Sequence, residues 1–152
     1  MKNRTLIPLL ALVAVLVGGC SKRSESAPIE PGVAVSSVHS GMTIQQVIAK
    51  CGQPNLTIDS DLVYAHLGLQ VAPGNGDVVH SVTITHPFAG HTKEGIGIGS
   101  RRDDVIRGYG EPTVAKSEKS GYENLRYSKL GLVFWLHDGQ VYMISVLFQA
   151  AK

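Results

Sequence analysis

The sequence contains the same pattern twice, and this repetition limits the possible folds more than any other feature. Residues 41–54 and 99–112 each begin with glycine, continue through an adjacent Val-Ile pair and close with Gly-x-Pro. In each copy a tyrosine follows, then Leu-Gly-Leu and an alternating apolar segment. Internal self-similarity outranks any local motif in assigning a fold. We therefore expect an α+β fold of two tandem repeats, each a helix packed on a three- or four-stranded antiparallel sheet.

The helix starts and turns set the limits of the two copies. Thr43 followed by Gln46 is typical of a capping box, and Ser100 with Asp103 suggests the corresponding box in the second copy. Asp138-Gly139 is a turn pair that adopts positive φ readily, so it predicts a hairpin. We place the first repeat at residues 39–90 and the second at residues 91–152.

The N-terminus predicts export and anchoring. An uncharged run from Leu6 to Val17 follows two basic residues, and about a dozen residues are too few to cross roughly 30 Å of hydrocarbon. Residues 1–19 are therefore expected to be a signal peptide. The small residues before Cys20 resemble the lipobox of bacterial lipoproteins, which implies that Cys20 carries the lipid, palmitate included. Residues 20–38, rich in Ser, Pro and Gly, are expected to be a flexible tether.

Composition and side-chain spacing argue against several functions. A formal net charge of +2 offers no basic field for nucleic acid. His80 and His86, six strand residues apart, would lie about 20 Å from each other, too far to share a metal ion. The glycines of residues 95–99 lack the Lys-Ser/Thr ending of a phosphate loop. No HExxH or serine-nucleophile motif occurs, so we expect no enzyme, no metal and no small-molecule cofactor.

The outward faces of the two predicted sheets differ in polarity. The first carries polar residues: Gln70, Ser81, Thr83 and Thr85. The matching set of the second is mostly apolar, with a tryptophan beside it: Val133, Met143, Ser145, Leu147 and Trp135. An apolar face of this kind is either covered, by the other repeat or a partner protomer, or is a docking surface. We predict protein binding through Val133, Trp135, Met143 and Leu147.

The helix motif also carries a family resemblance. Gly41-Met42-Thr43, Gln46-Val47 and Gly52-Gln53-Pro54 resemble the opening motif of the small outer-membrane lipoprotein A family, whose members are subunits of the β-barrel assembly machinery. The doubled arrangement is similar to the β-lactamase inhibitor protein fold. These resemblances imply a lipid-anchored, periplasm-facing outer-membrane protein that binds an envelope protein or itself, as an accessory to outer-membrane assembly or integrity. An inhibitor or sensor of an envelope enzyme is the alternative, and an uncatalogued envelope enzyme a weaker one.

Overall fold

The computed structural model describes residues 28–117 and 120–148. The predicted signal peptide and the predicted lipidation site Cys20 lie outside these residues. Within the described part of the chain, no helix combines the length and apolarity needed to cross a membrane.

The first described residues form a small antiparallel sheet of three short strands: β1 (Ile29–Glu30), β2 (Ala34–Val35) and β3 (Val38–His39). The sequence predicted a flexible tether over residues 20–38, but the structure places residues 29–38 in this sheet. Ile29, Val35 and Val38 are almost completely buried in the main core. Burial of these apolar side chains offsets the entropy lost by a segment with no helical or strand periodicity.

Each copy of the repeated motif contains one short helix. Helix α1 (Ile44–Cys51) begins after Thr43, whose hydroxyl accepts from the Gln46 N–H while the Gln46 side chain accepts from the Thr43 N–H. Helix α2 (Arg102–Tyr109) starts one residue later than predicted. At its first turn the Arg101 N–H donates to the Asp104 carboxylate. The Ser100 hydroxyl does not cap this helix because it accepts from the N–H of Gly97 in the preceding loop.

The remaining strands form one antiparallel sheet in the order β4-β5-β6-β7-β11-β10-β9-β8. Short 3-10 turns precede β7 and β10. The strands are β4 (Leu56–Ile58), β5 (Asp61–Tyr64), β6 (Leu69–Pro73), β7 (Val79–Thr85), β8 (Val114–Ser117), β9 (Tyr122–Tyr127), β10 (Leu132–His137) and β11 (Gln140–Leu147).

This topology contradicts the predicted fold class. We expected two units, each a helix on its own small sheet, but β7 pairs with β11 and joins all eight strands into one sheet. With the three-stranded sheet and only two short helices in the described residues, the fold is mainly antiparallel β. Two separate sheets would each leave a long apolar edge strand with unpaired backbone groups. Pairing β7 with β11 satisfies both edges at once.

The repeated sequence nevertheless makes the same contacts in both halves of the sheet. The Tyr64 hydroxyl donates to the Gly52 carbonyl at the end of α1, at 3.1 Å. The Tyr127 hydroxyl donates to the Gly110 carbonyl at the end of α2, at 2.9 Å. Each tyrosine therefore fixes a helix C-terminus, where carbonyl groups lack partners within the helix.

One face of the eight-stranded sheet packs on both helices and the three-stranded sheet. Val47 of α1 and Val105 of α2 are fully buried against it. The sheet contributes alternate residues to the same core: Tyr64, Leu69, Val71, Val82, Ile84, Leu125, Leu132, Phe134, Ile144 and Val146. Because strand side chains alternate between faces, the other residues of these strands point away from the helices.

Candidate functional face of the sheet

The face of the sheet opposite the helices is the candidate site, and no described element packs across it. Residues of the central strands on this face, such as Thr83 and Ser145, are only partly buried. They pair directly across the β7–β11 junction, so the outward face runs continuously from one half of the sheet to the other. We call this surface the open face.

The structure places all four residues of the predicted protein-binding site on the open face. Trp135 of β10 lies opposite Met143 of β11, and Val133 lies opposite Ser145. Leu147 pairs with Ser81 of β7 at the neighbouring position. Trp135, Met143 and Leu147 are partly exposed, whereas Val133 is only 3% exposed. Val133 therefore supports its neighbours and offers a partner little surface of its own.

Hydrogen bonds hold the tryptophan ring in place. The Trp135 indole N–H donates to the Ser145 hydroxyl at 3.2 Å, and this hydroxyl lies 3.1 Å from that of Thr83. The network links β10, β11 and β7 on the open face. A large aromatic side chain fixed in this way loses little conformational freedom when a partner packs on it.

Sequence reasoning missed two tyrosines that complete this part of the surface. Trp135 pairs with Met143 but Leu136 pairs with Val141, so Tyr142 is the extra residue of a β-bulge. The Tyr142 ring contacts that of Tyr122 edge-on at 5.8 Å, and both tyrosines line one depression with Trp135. The alternation of β11 alone could not reveal this, because a bulge shifts the side chains that follow it to the other face.

The open face contains two depressions, one at each end of β10. The first, of about 140 Å³, lies between Trp135, Tyr122 and Tyr142, with Lys116, Glu123 and Asn124 at its side. We call it the aromatic depression. The second, of about 210 Å³, is lined by Val133, Leu147, Phe148, His80 and Arg126. The lining of the first is about half polar and includes Lys116, whereas the lining of the second is mainly apolar and includes Arg126.

In the first copy, β6 and β7 present polar residues on the open face, as their sequence indicated. Gln70 and Thr83 are paired on neighbouring strands, and the Gln70 amide donates to the Asp61 carboxylate at 2.8 Å. This hydrogen bond occupies the Asp61 carboxylate within the chain. The aromatic and cationic groups of the open face are thus concentrated on β8 to β11, whereas the edge strand β4 adds two exposed aliphatic residues, Leu56 and Ile58.

A larger cavity of about 820 Å³ lies elsewhere, between the three-stranded sheet and the C-terminus of α2. It is lined by apolar residues of the N-terminal segment and by Thr92, Glu94 and Tyr109. The Tyr109 hydroxyl and Glu94 Oε2 are shielded from solvent without a well-aligned hydrogen bond. Burial raises the pKa of Tyr109. Burial also opposes ionisation of Glu94, but the adjacent Tyr109 hydroxyl, the Glu94 amide and Lys93 outweigh it and lower the Glu94 pKa.

The pKa shifts of Tyr109 and Glu94 limit the chemistry of the cavity. Near neutral pH Tyr109 stays protonated and Glu94 stays ionised, so neither group is poised to exchange a proton. The described residues also hold no group of three His, Cys, Asp or Glu side chains that could bind a metal ion. His80 and His91, two of the histidines considered from sequence, lie in different cavities.

Comparison with known proteins identifies one similar fold and no family. No family model matches the chain, and no curated protein matches it. The crystal structure of YjgB from Bacillus subtilis, a DUF4309 family protein, is similar with a TM-score of 0.51. The identity is 11%, over 70% of this chain and 78% of that one. At this identity the likeness concerns the fold alone.

Proposed function

We propose that this protein is a non-enzymatic, lipid-anchored component of a bacterial envelope that binds another protein through the open face of its sheet. The observation that carries the proposal is the partly exposed apolar and aromatic surface around Trp135, on a face that no described element covers. The lipobox-like sequence before Cys20 supports the anchor. The resemblance to the small outer-membrane lipoprotein A family supports an outer-membrane, periplasm-facing location and a role accessory to assembly.

The open face suits a protein partner better than a small substrate. Its depressions are small, about 140 and 210 Å³, and lie at opposite ends of β10, so one small ligand would not fill both. Aromatic residues flanked by polar and cationic groups are typical of protein interfaces. Tryptophan and tyrosine are also enriched among the residues whose truncation costs about 2 kcal/mol or more of binding energy.

Site-specific photocrosslinking in the native envelope tests this function. A photoreactive phenylalanine derivative replaces Met143 on the open face and, as a control, Lys50 on the exposed side of α1. We expect a discrete adduct from position 143 and none from position 50. The mass of the adduct distinguishes an envelope protein from a second copy of this chain.

Capture of the crosslinked partner by two variants completes the test. We expect Trp135→Ala to weaken capture of the crosslinked partner tenfold or more, which is about 1.4 kcal/mol. Gln70→Ala, on the polar half of the same face, should leave capture unchanged. Adducts that form equally from both positions, or capture that Trp135→Ala does not weaken, would refute the proposed function.

A further inference from the structure

We infer that the open face recognises an acidic segment of its partner, in which an apolar side chain is flanked by aspartate or glutamate. This inference rests on the proposed function and adds the chemistry of the partner. It depends on the juxtaposition of the aromatic depression with two exposed cations, Lys116 and Arg126.

The aromatic depression provides the place for an apolar side chain. Its volume of about 140 Å³ corresponds to roughly five water molecules at the liquid density. Tyr122 and Tyr142 form one wall through their edge-on contact, and Trp135 forms another. Displacing water from between aromatic rings onto an apolar side chain is favourable, whereas a charged side chain there would lose its hydration.

Lys116 lines this depression, and Arg126 lies beyond it on the same face, in the lining of the second depression. Lys116 of β8 pairs with Asn124 of β9, which in turn pairs with Trp135. Arg126 is two residues further along β9, so it lies on the same face, opposite Val133. At about 4.8 Å between strands and about 3.3 Å per residue, the Cα atoms of Lys116 and Arg126 are roughly 8 Å apart. One extended segment of a partner can contact both.

Neither cation is neutralised by a carboxylate in the described part of the chain. The ion pairs found there join Lys93 to Glu94, Arg102 to Glu123, Arg107 to Asp104 and His137 to Asp138. Glu123 precedes Asn124 on β9 and turns to the opposite side of the sheet, where Arg102 of α2 binds it at 3.0 Å. Glu123, which is also among the residues lining the aromatic depression, is therefore already bound by Arg102 within the chain.

Exposed cations on the same face as an aromatic depression select a partner by charge. A carboxylate that meets Arg126 in an interface forms charge-assisted hydrogen bonds, which are stronger than neutral ones. A basic segment would place like charges together and would be rejected. Complementary charges also make association salt-dependent, because ions in solution screen exposed pairs.

Selection from a random peptide library tests the inference even while the natural partner is unidentified. A displayed library of 12-residue peptides is selected on the immobilised full chain in detergent. We expect the selected peptides to contain at least twice the aspartate and glutamate of the starting library, placed around a shared apolar position. Their affinity should fall when the salt concentration is raised.

Charge reversal supplies the matched control. The double variant Lys116→Glu and Arg126→Glu should weaken the selected peptides tenfold or more. Lys50→Glu with Arg107→Glu, the same change of charge on the helices, should not. Peptides that depend on Trp135 but are neutral or basic, or that tolerate the first double variant, would overturn the acidic partner and leave the proposed function standing. Peptides that ignore both Trp135 and the two cations would overturn both, and failure to select any peptide would overturn the inference.

Discussion

Removal of the two tyrosine hydroxyls that hold the helix ends should cost the same free energy at each site. Tyr64→Phe and Tyr127→Phe keep the ring and delete one hydrogen bond, to Gly52 and to Gly110 respectively. A bond of this kind contributes about 0.5–1.5 kcal/mol of net stability. For a domain of about 120 residues, 1 kcal/mol corresponds to roughly 4 °C in the midpoint of thermal unfolding.

The two substitutions should also be additive. Their strands, β5 and β9, are separated by five strand spacings in the sheet order. At about 4.8 Å each, this is roughly 24 Å, well beyond the range at which substitutions usually couple. Chemical denaturation of both single variants and the double variant, with the midpoint and slope compared, measures the effect. If one variant is destabilised and its counterpart is not, or if the double variant departs clearly from the sum, the matched role of the tyrosines is wrong.

The same pair predicts how stability depends on pH. Burial raises the pKa of Tyr64 and of Tyr127, with the nearby Cys51 and Glu111 adding to the effect respectively. A group whose pKa is raised in the folded state stabilises that state fully below its unfolded value, which is about 10 for tyrosine. The free energy of unfolding should therefore fall as the pH rises above about 10. Denaturation at pH 8 and pH 11 should show a larger loss for the natural chain than for the double phenylalanine variant, and equal losses would contradict the assignment.

Further predictions concern the backbone, the halves of the sheet and the anchor. Gly131→Ala, where a Cβ would collide with the Leu147 carbonyl, should destabilise the protein by more than about 1 kcal/mol; Gly139→Ala, at a similar φ in open space, is the control, and equal thermal shifts would contradict the steric reason. Residues 92–152 expressed alone should fold poorly because they leave β11 as an unpaired edge, and a cooperative thermal transition of that fragment would contradict this. Cys20→Ala should abolish lipid labelling, so normal labelling of the variant would refute the predicted anchor.

The local features of the fold can be predicted from the sequence alone. The Thr43 capping box, the Gly52 terminus of α1 and the Asp138-Gly139 turn depend on residues within a few positions of each other. Their conformations follow from hydrogen bonds and backbone preferences that operate at short range. The alternation of β10 and β11 likewise shows which side chains share a face, and Trp135 of β10 and Leu147 of β11 both lie on the open face.

The pairing of the strands depends on the tertiary structure, because hydrophobic alternation specifies a face and not a neighbour. Val82 and Ile84 are suited to many apolar strands, and their pairing with β11 joins segments about 60 residues apart. Ile29 lies in a segment that shows no strand periodicity in sequence, and only the tertiary structure brings its side chain into the core. Lys116 and Arg126 lie on the same face as Trp135 only because β8, β9 and β10 pair in this order. The order of the strands therefore decides which charged side chains share a surface.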